Sequence, residues 1–311
     1  MRILIYGAGV IGSIFAGKLS ANGNDVTVLA RNNRFQELKN NGLNIKHIHT
    51  NKVENYPIKV IDHLIPDDVY DYIVVPMKFE QIDDILPILS QNISPNIVLC
   101  VNNPSGYDKW KSFLGSRLMV GFPACGGKLI DNITEYYISK GVTRGFQTTT
   151  FGEIDGITTN RLTILLKLFS HSGIPSISSK YMDNWQKCHI AIVTPIANAI
   201  YKNNGDIKAL ANKPLDIDLM INATRQGLEA LQELGYKVEP QKLNFYYLPK
   251  FILRFAFGFG LKSTIADFSM AMHANNAKLE MTQLKDEFKN LIKDTTTNKE
   301  AIYRLNEFCN E

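Results

Sequence analysis

The sequence is poor in cysteine and has no pattern that would pair its cysteines. The four thiols lie far apart, with neither a C-x-x-C pair nor the spacing of metal ligands, at Cys100, Cys125, Cys188 and Cys309. This arrangement argues against a disulfide framework and gives no reason to predict a metal site. We therefore expect four reduced thiols, as is usual in a cytoplasmic protein.

Long apolar runs and long basic runs are also missing. The longest apolar stretch, FILRFAFGFGL at residues 251–261, is shorter than the ~20 residues that span a bilayer, and Arg254 interrupts it. A buried helix or the face of a homodimer explains this stretch better than membrane contact does. Positive and negative residues are interspersed along the chain, and the formal net charge is only +4. Nucleic acid is therefore not an expected partner.

The remaining composition is that of an ordinary globular protein. Of the 311 residues, 45% are hydrophobic and 21% are charged, which is enough apolar material for about two domains.

A glycine-rich loop lies between two predicted strands at the start of the sequence. We expect strands at residues 2–6 and 25–29 and a helix at 13–22, which leaves GAGVIG between the first strand and the helix. In the pattern G-x-G-x-x-G, the first glycine permits a tight turn, the second lets a pyrophosphate approach the backbone, and the third lets helix and strand pack closely. A plain glycine turn is the alternative. The context favours a dinucleotide site made by Gly7, Gly9, Val10, Ile11 and Gly12.

The end of the second predicted strand lacks an acidic residue. A site for NAD usually has Asp or Glu there, which binds the ribose 2′-hydroxyl. This sequence has Arg31 instead, whose planar guanidinium can pair with a 2′-phosphate, and Arg34 could assist it. Arg31 could also be a solvated charge, but the missing acid favours NADP as the cofactor in either case.

Two further predicted strands are followed by polar residues. The apolar run 72–75 precedes Lys78, and the run 96–101 precedes Asn102. Because ligands of open α/β sheets bind beyond the carboxyl ends of the strands, we expect Lys78 and Asn102 to contact cofactor or substrate. The alternatives are a surface lysine at Lys78 and a helix cap at Asn102.

From Asp183 onward the sequence pattern is helical. Asp183 is a plausible N-cap for a helix from residue 184 toward 198, which Pro195 should kink. We therefore predict an α/β Rossmann domain that binds the cofactor over residues 1–178. An all-α domain for substrate binding and dimerisation should follow over residues 179–311, with a cleft between the two.

Taken together, these features resemble the ketopantoate reductase family, also called 2-dehydropantoate 2-reductases. The resemblance is carried by GAGVIG, Arg31, Lys78, Asn102, FGEIDG at 151–156, Trp185-Gln186-Lys187, and Ser263 with Asp267. It covers nearly the whole chain but is loose after about residue 200. It implies an NADPH-binding Rossmann domain, C-terminal helices like those of 6-phosphogluconate dehydrogenase, and reduction of ketopantoate to pantoate in pantothenate biosynthesis.

The resemblance also implies a role for individual residues. Lys187 matches the general acid, and Asn102 matches a residue beside the nicotinamide and the substrate. Lys78 matches a residue near cofactor and substrate, and Ser263 one that helps to hold the substrate carboxylate. The chemistry is consistent, because a carbonyl that accepts hydride develops negative charge, which an ammonium can stabilise and then protonate. Without the resemblance, Lys187 could equally be a surface lysine.

Several departures from the family pattern put ketopantoate itself in doubt. Residues 102–104 are Asn-Asn-Pro where the family usually has Asn-Gly, and asparagine positions of the lysine helix fall at Ala191 and near Pro195. In an ungapped match, the substrate-binding glutamate of the family falls on Asn275. We therefore expect Asn275 in the substrate site and poor activity on ketopantoate. Glu280 would replace the glutamate only if the register slips.

The leading hypothesis is an NADPH-dependent reductase of a small 2-oxo acid. Its catalytic residues would be Lys187 and Asn102, and its substrate-binding residues Lys78, Lys187, Ser263 and Asn275. One alternative is a catalytically silent NADP-binding sensor or regulatory protein, which the missing glutamate would explain. Another is a different oxidoreductase of small carbonyl compounds on the same plan, such as an opine-type or hydroxyacyl-type dehydrogenase.

Overall fold

The computed structural model of the protein describes residues 1–50, 52–138 and 148–309. The chain divides into two compact units: the first consists of residues 1–101 and 107–182, and the second of residues 102–106 and those from 183 onward. The first unit contains all the strands of the described chain, and the second is helical. The predicted fold class, a Rossmann domain followed by an all-α domain, is confirmed.

The first unit contains two sheets and five α-helices within the described ranges. Its strands are β1 (Arg2–Tyr6), β2 (Asp25–Leu29), β3 (Leu43–His47), β4 (Glu54–Tyr56), β5 (Lys59–Ile61), β6 (Tyr72–Val75), β7 (Ile97–Cys100), β8 (Leu118–Phe122), β9 (Gly126–Ile130), β10 (Ile133–Tyr137), β11 (Thr149–Gly152) and β12 (Ser176–Ser178). Its helices are α1 (Val10–Ala21), α2 (Asn32–Asn41), α3 (Ile82–Gln91), α4 (Asp108–Leu114) and α5 (Asn160–His171).

The large sheet has the strand order of a dinucleotide-binding fold. Six neighbouring strands, in the order β5-β2-β1-β6-β7-β8, are parallel, and β11 and β12 extend the sheet beyond an antiparallel β8–β11 pair. Successive residues of β1 point to opposite faces, so Ile3 and Ile5 pack into one buried cluster and Leu4 and Tyr6 into another. The apolar run at the start of the sequence is therefore a strand covered on both sides, as parallel strands usually are.

The strand order reverses at the β1–β6 pair, where open α/β sheets bind their ligands. Gly7 follows β1, Arg31 follows β2, and Lys78 follows β6. Asn102 follows β7 and opens the short segment that belongs to the second unit. Four residues selected from the sequence thus lie within three residues of the carboxyl end of a parallel strand.

The smaller sheet has the order β4-β3-β10-β9 and was not anticipated as a separate sheet. Its strands β3 and β10 are parallel, although almost ninety residues separate them in sequence. Helix α1 packs against it so closely that a Cβ on Gly17 would lie 2.7 Å from Ile45 Cδ1. Pairing at this sequence distance leaves no local signal, which explains why it was missed.

The second unit is built from helices of very different length. They are α6 (Met182–Lys202), α7 (Ile207–Ala211), α8 (Pro214–Glu233), α9 (Lys250–Gly260), α10 (Thr264–Ala266), α11 (Met272–Asn276), α12 (Lys278–Leu291) and α13 (Glu300–Asn306). Helix α6 continues through Pro195. Asp183 lies inside this helix, so its prediction as the N-cap was wrong. Among the described residues, no helix has the length and apolar character needed to cross a membrane. Helix α9 is not the buried helix expected for residues 251–261, since Phe251, Phe255 and Phe259 are 70%, 80% and 80% exposed.

The motif FGEIDG places a buried carboxylate at the end of β11. Glu153 is only 4% exposed and accepts hydrogen bonds from Arg161 Nε at 2.8 Å and from Thr159 Oγ1 at 2.5 Å. Arg161 Nη1 also donates to the carbonyl of Ser116 at 2.7 Å. The hydrogen bond to Glu153 raises the pKa of Arg161. The motif is thus a structural tie between β11 and the start of α5.

We predict that Arg161→Ala lowers the free energy of unfolding by about 3–5 kcal/mol, because it leaves the Glu153 carboxylate buried without its cation. Urea unfolding followed by circular dichroism measures the loss. The matched control is Arg304→Ala, which removes an exposed arginine that pairs with Glu300 and should cost at most about 1 kcal/mol. Similar losses in both variants would contradict the structural role of Glu153.

Candidate active site

The glycine loop after β1 is closed by two tight contacts. Gly7 has φ of +120°, which favours glycine, and its N–H donates to the carbonyl of Leu29 at 3.1 Å. A Cβ on Gly12 would lie 1.9 Å from the Gly7 carbonyl oxygen and 3.3 Å from Ile5 Cγ2. Only glycine at position 12 therefore allows α1 to start this close to β1, as the sequence pattern predicts.

Gly9 differs from Gly7 and Gly12, because open space lies next to it. No atom of the described chain lies within 4 Å of where its Cβ would be, beyond its chain neighbours. Gly9 is the N-cap of α1, Val10 and Ile11 form the first turn, and that turn has no acidic residue. A helix N-terminus with free amide groups and room beside the backbone suits a pyrophosphate. The loop therefore fits the dinucleotide predicted from the sequence.

Two arginines near the glycine loop differ in what they contact. Arg34 is held in place: its Nε donates to the Ala8 carbonyl at 3.3 Å, and its other nitrogens contact Ser13 Oγ and Glu37, each at 3.2 Å. Arg31 is exposed, and its side chain makes no hydrogen bond or ion pair within the described residues. Burial raises the pKa of Tyr6 at the end of β1, and the positive charge of Arg31 partly offsets that rise. Arg31 is therefore the arginine available to an added phosphate.

Lys78 lies in the turn between β6 and the short helix Phe79–Gln81, and it is half-buried. Its backbone N–H donates to Gln81 Oε1 at 3.4 Å. The structure thus places Lys78 just past a central parallel strand, as expected from the sequence, and its contact with cofactor or substrate stays a prediction.

In the second unit, Lys187 is almost completely buried. Its side chain is 3% exposed, and its Nζ forms an ion pair with Asp183 one turn earlier on α6. Nζ also lies 4.8 Å from the centre of the Tyr236 ring, a distance at which the face of the ring attracts a cation. A buried ammonium is costly unless it is paired, and here the carboxylate and the ring compensate for the lost water.

The loop 102–106 runs beside this ion pair. A Cβ on Gly106 would lie 4.0 Å from Lys187 Nζ and 3.9 Å from Asp183 Oδ1. The loop is shaped by Asn103, which donates to the Gly106 carbonyl at 2.6 Å and accepts from the Ser105 N–H at 2.9 Å. Gly106 has φ of +79°. The second asparagine of the Asn-Asn-Pro sequence therefore has a structural role.

Asn102 begins the same loop and is joined to an acidic residue far away in sequence. Its Nδ2 donates to Glu280 Oε1 at 2.9 Å, and both side chains are buried. Within the described chain no donor reaches Asn102 Oδ1, although that atom is buried. A buried acceptor without a donor is rare in native structures, and a bound molecule could supply the missing hydrogen bond.

The structure gives the last two predicted substrate residues other partners. Ser263 is exposed and caps α10, since its Oγ accepts from the Ala266 N–H at 3.1 Å and donates to the Gly260 carbonyl at 2.7 Å. Asn275 is exposed and donates to the Gly205 carbonyl at 3.0 Å. Neither makes a described contact with Lys187, Asp183, Asn102 or Glu280. Of the two sequence registers, the one with Glu280 brings an acid to Asn102.

Cys188, beside Lys187 in sequence, is not a reactive thiol. Its Sγ lies 3.7 Å from the Lys237 carbonyl oxygen and 3.5 Å from the Glu239 nitrogen, and burial raises its pKa to about 11. Since the thiolate is the nucleophilic form and a raised pKa disfavours it, Cys188 is not a candidate nucleophile. The groups left for chemistry at this site are the amine, the amide and the carboxylates.

Comparison with known proteins finds a family similarity in the N-terminal part of the chain. The sequence model described as "Ketopantoate reductase PanE/ApbA" matches residues 3–121. Over these residues the chain is similar to the ketopantoate reductase family. The match includes the glycine loop and extends through Asn102 to β8.

The proteins that the chain resembles are distant in sequence and close in fold. The 2-dehydropantoate 2-reductase of Pyrococcus horikoshii is 23% identical over 249 residues, which cover 78% of each chain. The structure of 2-dehydropantoate 2-reductase from Geobacter metallireducens matches with a TM-score of 0.77 and 15% identity, over 100% of this chain and 99% of that one. D-mandelate dehydrogenase, solved with NADH and anilino(oxo)acetate, matches with a TM-score of 0.79 and 14% identity, over 100% of this chain and 97% of that one. At these identities the two structural matches show the fold alone.

Two residues beside Lys187 were not selected for the site from the sequence. Asp183 and Lys187 have the i, i+4 spacing of a helical ion pair, and this signal was available. It was overlooked because an aspartate before an apolar helix also fits an N-cap. Tyr236 lies 49 positions from Lys187, and nothing in the sequence connects them.

We predict different effects on the free energy of unfolding for two substitutions in the glycine loop. Gly12→Ala should lower the free energy of unfolding by about 1–3 kcal/mol or more, because its Cβ would overlap the Gly7 carbonyl. Gly9→Ala should leave stability nearly unchanged, because its Cβ enters open space. Urea unfolding compares the two variants, and equal losses would show that the close packing of α1 on β1 is not as described.

Proposed function

We propose that this protein is an NADPH-dependent reductase that converts a small 2-oxo acid to a 2-hydroxy acid. The observation that carries the proposal is the buried ammonium of Lys187, held by Asp183 and bordered by the 102–106 loop. The lysine ammonium can donate a hydrogen bond to a substrate carbonyl oxygen, and the unsatisfied Oδ1 of Asn102, at the start of the same loop, can accept one from an N–H or O–H group. The family model that matches residues 3–121 is named for a ketopantoate reductase, which supports a reaction of this kind.

The cofactor would be held by the first unit. Gly7, Gly9 and Gly12 would hold the pyrophosphate with the amide groups at the start of α1, and Arg31 would pair with the 2′-phosphate. NADPH, when bound, supplies the hydride. Arg34 would support Arg31 indirectly, because its contacts with Ala8 and Ser13 keep the loop in position.

Lys187 would stabilise the oxygen that becomes negative during reduction and then protonate it. One of its three N–H groups donates to Asp183, which leaves the others for the substrate oxygen. Because Nζ is shielded from water, its attraction to the developing negative charge is stronger than at the surface. Asp183 would keep the ammonium oriented and compensate for its charge when no substrate is bound.

Asn102 and Glu280 would recognise the polar groups of the substrate. The carboxylate of Glu280 can accept a hydrogen bond from a substrate hydroxyl, and Asn102 Oδ1 offers a second, unsatisfied acceptor. We propose Glu280 for the role that the ungapped sequence match assigned to Asn275. The alternative of a catalytically silent NADP-binding protein was motivated by the missing substrate-binding glutamate. If Glu280, which contacts Asn102, has the role of that glutamate, this motivation no longer applies.

The distant relatives support the substrate class. They include 2-dehydropantoate 2-reductases and a dehydrogenase solved with anilino(oxo)acetate, which is itself an oxo acid. The last of these was solved with NADH, so a shared fold is compatible with either dinucleotide. The choice of NADPH therefore rests on Arg31 and on the missing acid after β2.

We predict that the protein binds NADPH more tightly than NADH and that Arg31→Ala removes the difference. The loss for NADPH should be about 1.5–3 kcal/mol, the usual range for a hydrogen bond to a charged group. Fluorescence titration of both cofactors measures it, with Arg304→Ala, an exposed arginine of the second unit, as the matched control. Equal wild-type affinities would contradict the assignment.

We predict that Lys187→Ala lowers kcat by ~10²–10⁴-fold on the best 2-oxo acid of a panel, while NADPH affinity stays nearly unchanged. Loss of NADPH absorbance measures the rate. Lys187→Arg should also be slow, because a guanidinium keeps its charge but does not release its proton. Lys293→Ala, an exposed lysine on the same unit, is the control. A Lys187→Ala variant with nearly full kcat would reject the general-acid role.

We predict that Glu280→Gln lowers kcat/KM about ten- to a hundredfold, the loss expected for one charge-assisted hydrogen bond. Asn275→Ala, whose side chain contacts only the Gly205 carbonyl among the described residues, should have little effect. Steady-state kinetics on a panel that includes ketopantoate compare the two. The reverse result, with Asn275 sensitive and Glu280 not, would restore the ungapped register.

A further inference from the structure

Glu280 is a buried carboxylate that has no cation beside it. The residue is only 3% exposed, and it forms no ion pair within the described chain. The one described hydrogen bond of its side chain comes from Asn102 Nδ2, which lies 2.9 Å from Oε1. A buried anion is costly unless a cation or several donors compensate for the lost water, and a single amide N–H compensates for only part of it.

The cations closest to Glu280 in sequence have other partners. Lys278 is exposed, and its Nζ lies 5.7 Å from the centre of the Tyr201 ring. Lys285 Nζ lies 3.4 Å from Asp286 Oδ1. Neither lysine pairs with Glu280 among the described contacts, so the negative charge of Glu280 is left for a bound molecule.

The amide that contacts Glu280 carries a second acceptor without a donor. Asn102 is 6% exposed, and no described donor reaches its buried Oδ1. Glu280 Oε2 likewise accepts no described hydrogen bond. Two acceptors, one of them charged, thus lack donors on two buried side chains that are in contact. Since buried polar groups are almost always hydrogen-bonded, this pair points to a ligand with more than one donor.

The charge that borders the loop 102–106 is predominantly negative. Among the described contacts, the charged neighbours of this loop are the carboxylates of Asp183, Glu280 and Glu287 and the ammonium of Lys187. Asp183 already pairs with that ammonium. A positively charged group on a substrate is attracted to such surroundings, whereas a further negative group is repelled.

We propose that Asn102 and Glu280 form a subsite for an ammonium group, so that the substrate is a 2-oxo acid with an amino group on its side chain. The proposal rests on the reductase function proposed above. An ammonium has three N–H donors and a positive charge, so it serves both free acceptors and compensates for the buried carboxylate. A hydroxyl has one donor and no charge, and a methyl group has neither. The ammonium takes no part in the transfer of hydride or proton.

The loop also limits the length of the substrate. Glu280 contacts its first residue, Asn102, and Lys187 lies beside its last, Gly106. The Cα atoms of these two ends are at most about 14 Å apart, and the hydrogen bond from Asn103 to the Gly106 carbonyl folds the loop further. A short molecule such as 4-amino-2-oxobutanoate is compatible with this distance. Its ammonium and its carboxylate lie on opposite sides of the keto carbon, so Glu280 meets only the ammonium.

Kinetics on three 2-oxo acids of the same size test the proposal. The last group of the side chain is an ammonium in 4-amino-2-oxobutanoate, a hydroxyl in 4-hydroxy-2-oxobutanoate and a methyl in 2-oxopentanoate. We expect kcat/KM to be about ten- to a hundredfold higher for the amine than for the methyl compound, the usual effect of a hydrogen bond to a charged group, with the hydroxyl compound between them.

Two variants of the second unit show which carboxylate is responsible. Glu280→Gln should remove most of the preference for the amine. Glu300→Gln, which replaces an exposed carboxylate, should keep it. A wild type that prefers the methyl compound, equal efficiency with the amine and the hydroxyl compound, or a preference that survives Glu280→Gln would overturn the proposal.

Calorimetric titration of the full chain in the presence of NADP⁺ separates this proposal from the reductase function, because the oxidised cofactor cannot reduce these acids. The amine should bind about ten- to a hundredfold more tightly than 2-oxopentanoate, and Glu280→Gln should lose the difference. Selective binding of the amine without reduction of any of the acids would support the subsite and reject the reductase. Reduction of the acids without selection would do the opposite, and the absence of both would overturn the two proposals together.

Discussion

The parallel pairing of β1 with β2 on one side and β6 on the other is the constraint on which the first unit depends. Parallel strands share a direction, so their carboxyl ends meet at one edge of the sheet, and the residues that follow them gather there. Gly7, Arg31 and Lys78 are brought together in this way. The close start of α1 on β1 depends in turn on Gly12, which leaves the helix amides directed at open space beside Gly9.

The second unit solves a different physical problem, the burial of a cation. Lys187 is shielded from water by its own helix, by Tyr236 and by the 102–106 loop, and an unpaired ammonium is costly in such surroundings. The ion pair with Asp183 offsets that cost and places a carboxylate beside the ammonium. A substrate with its own carboxylate must therefore bind that group away from Asp183, and this restricts how a 2-oxo acid can be oriented.

The register of the C-terminal helices does not follow from the spacing of residues in the sequence. Counting twelve residues from Ser263 leads to Asn275, but the chain between them contains a π-helical turn, Asp267–Ala271, that changes which residues share a face. The acid that contacts Asn102 is Glu280, five residues further. Ser263 donates instead to the carbonyl of Gly260, three residues earlier, and Asn275 to that of Gly205, 70 residues earlier. An irregular turn of this kind leaves no clear mark in a sequence.

The sequence by itself determined the Rossmann order, the glycine loop, the missing acid after β2 and the change to helices near residue 183. These depend on local periodicity and on the conformational freedom of glycine, which act over a few residues. Only the tertiary structure decided that Asp183 pairs with Lys187, that Tyr236 lies over the ammonium, and that Glu280 meets Asn102. Contacts between residues far apart in sequence depend on how helices pack, and packing follows from the shapes of whole surfaces, which spacing along the chain does not encode.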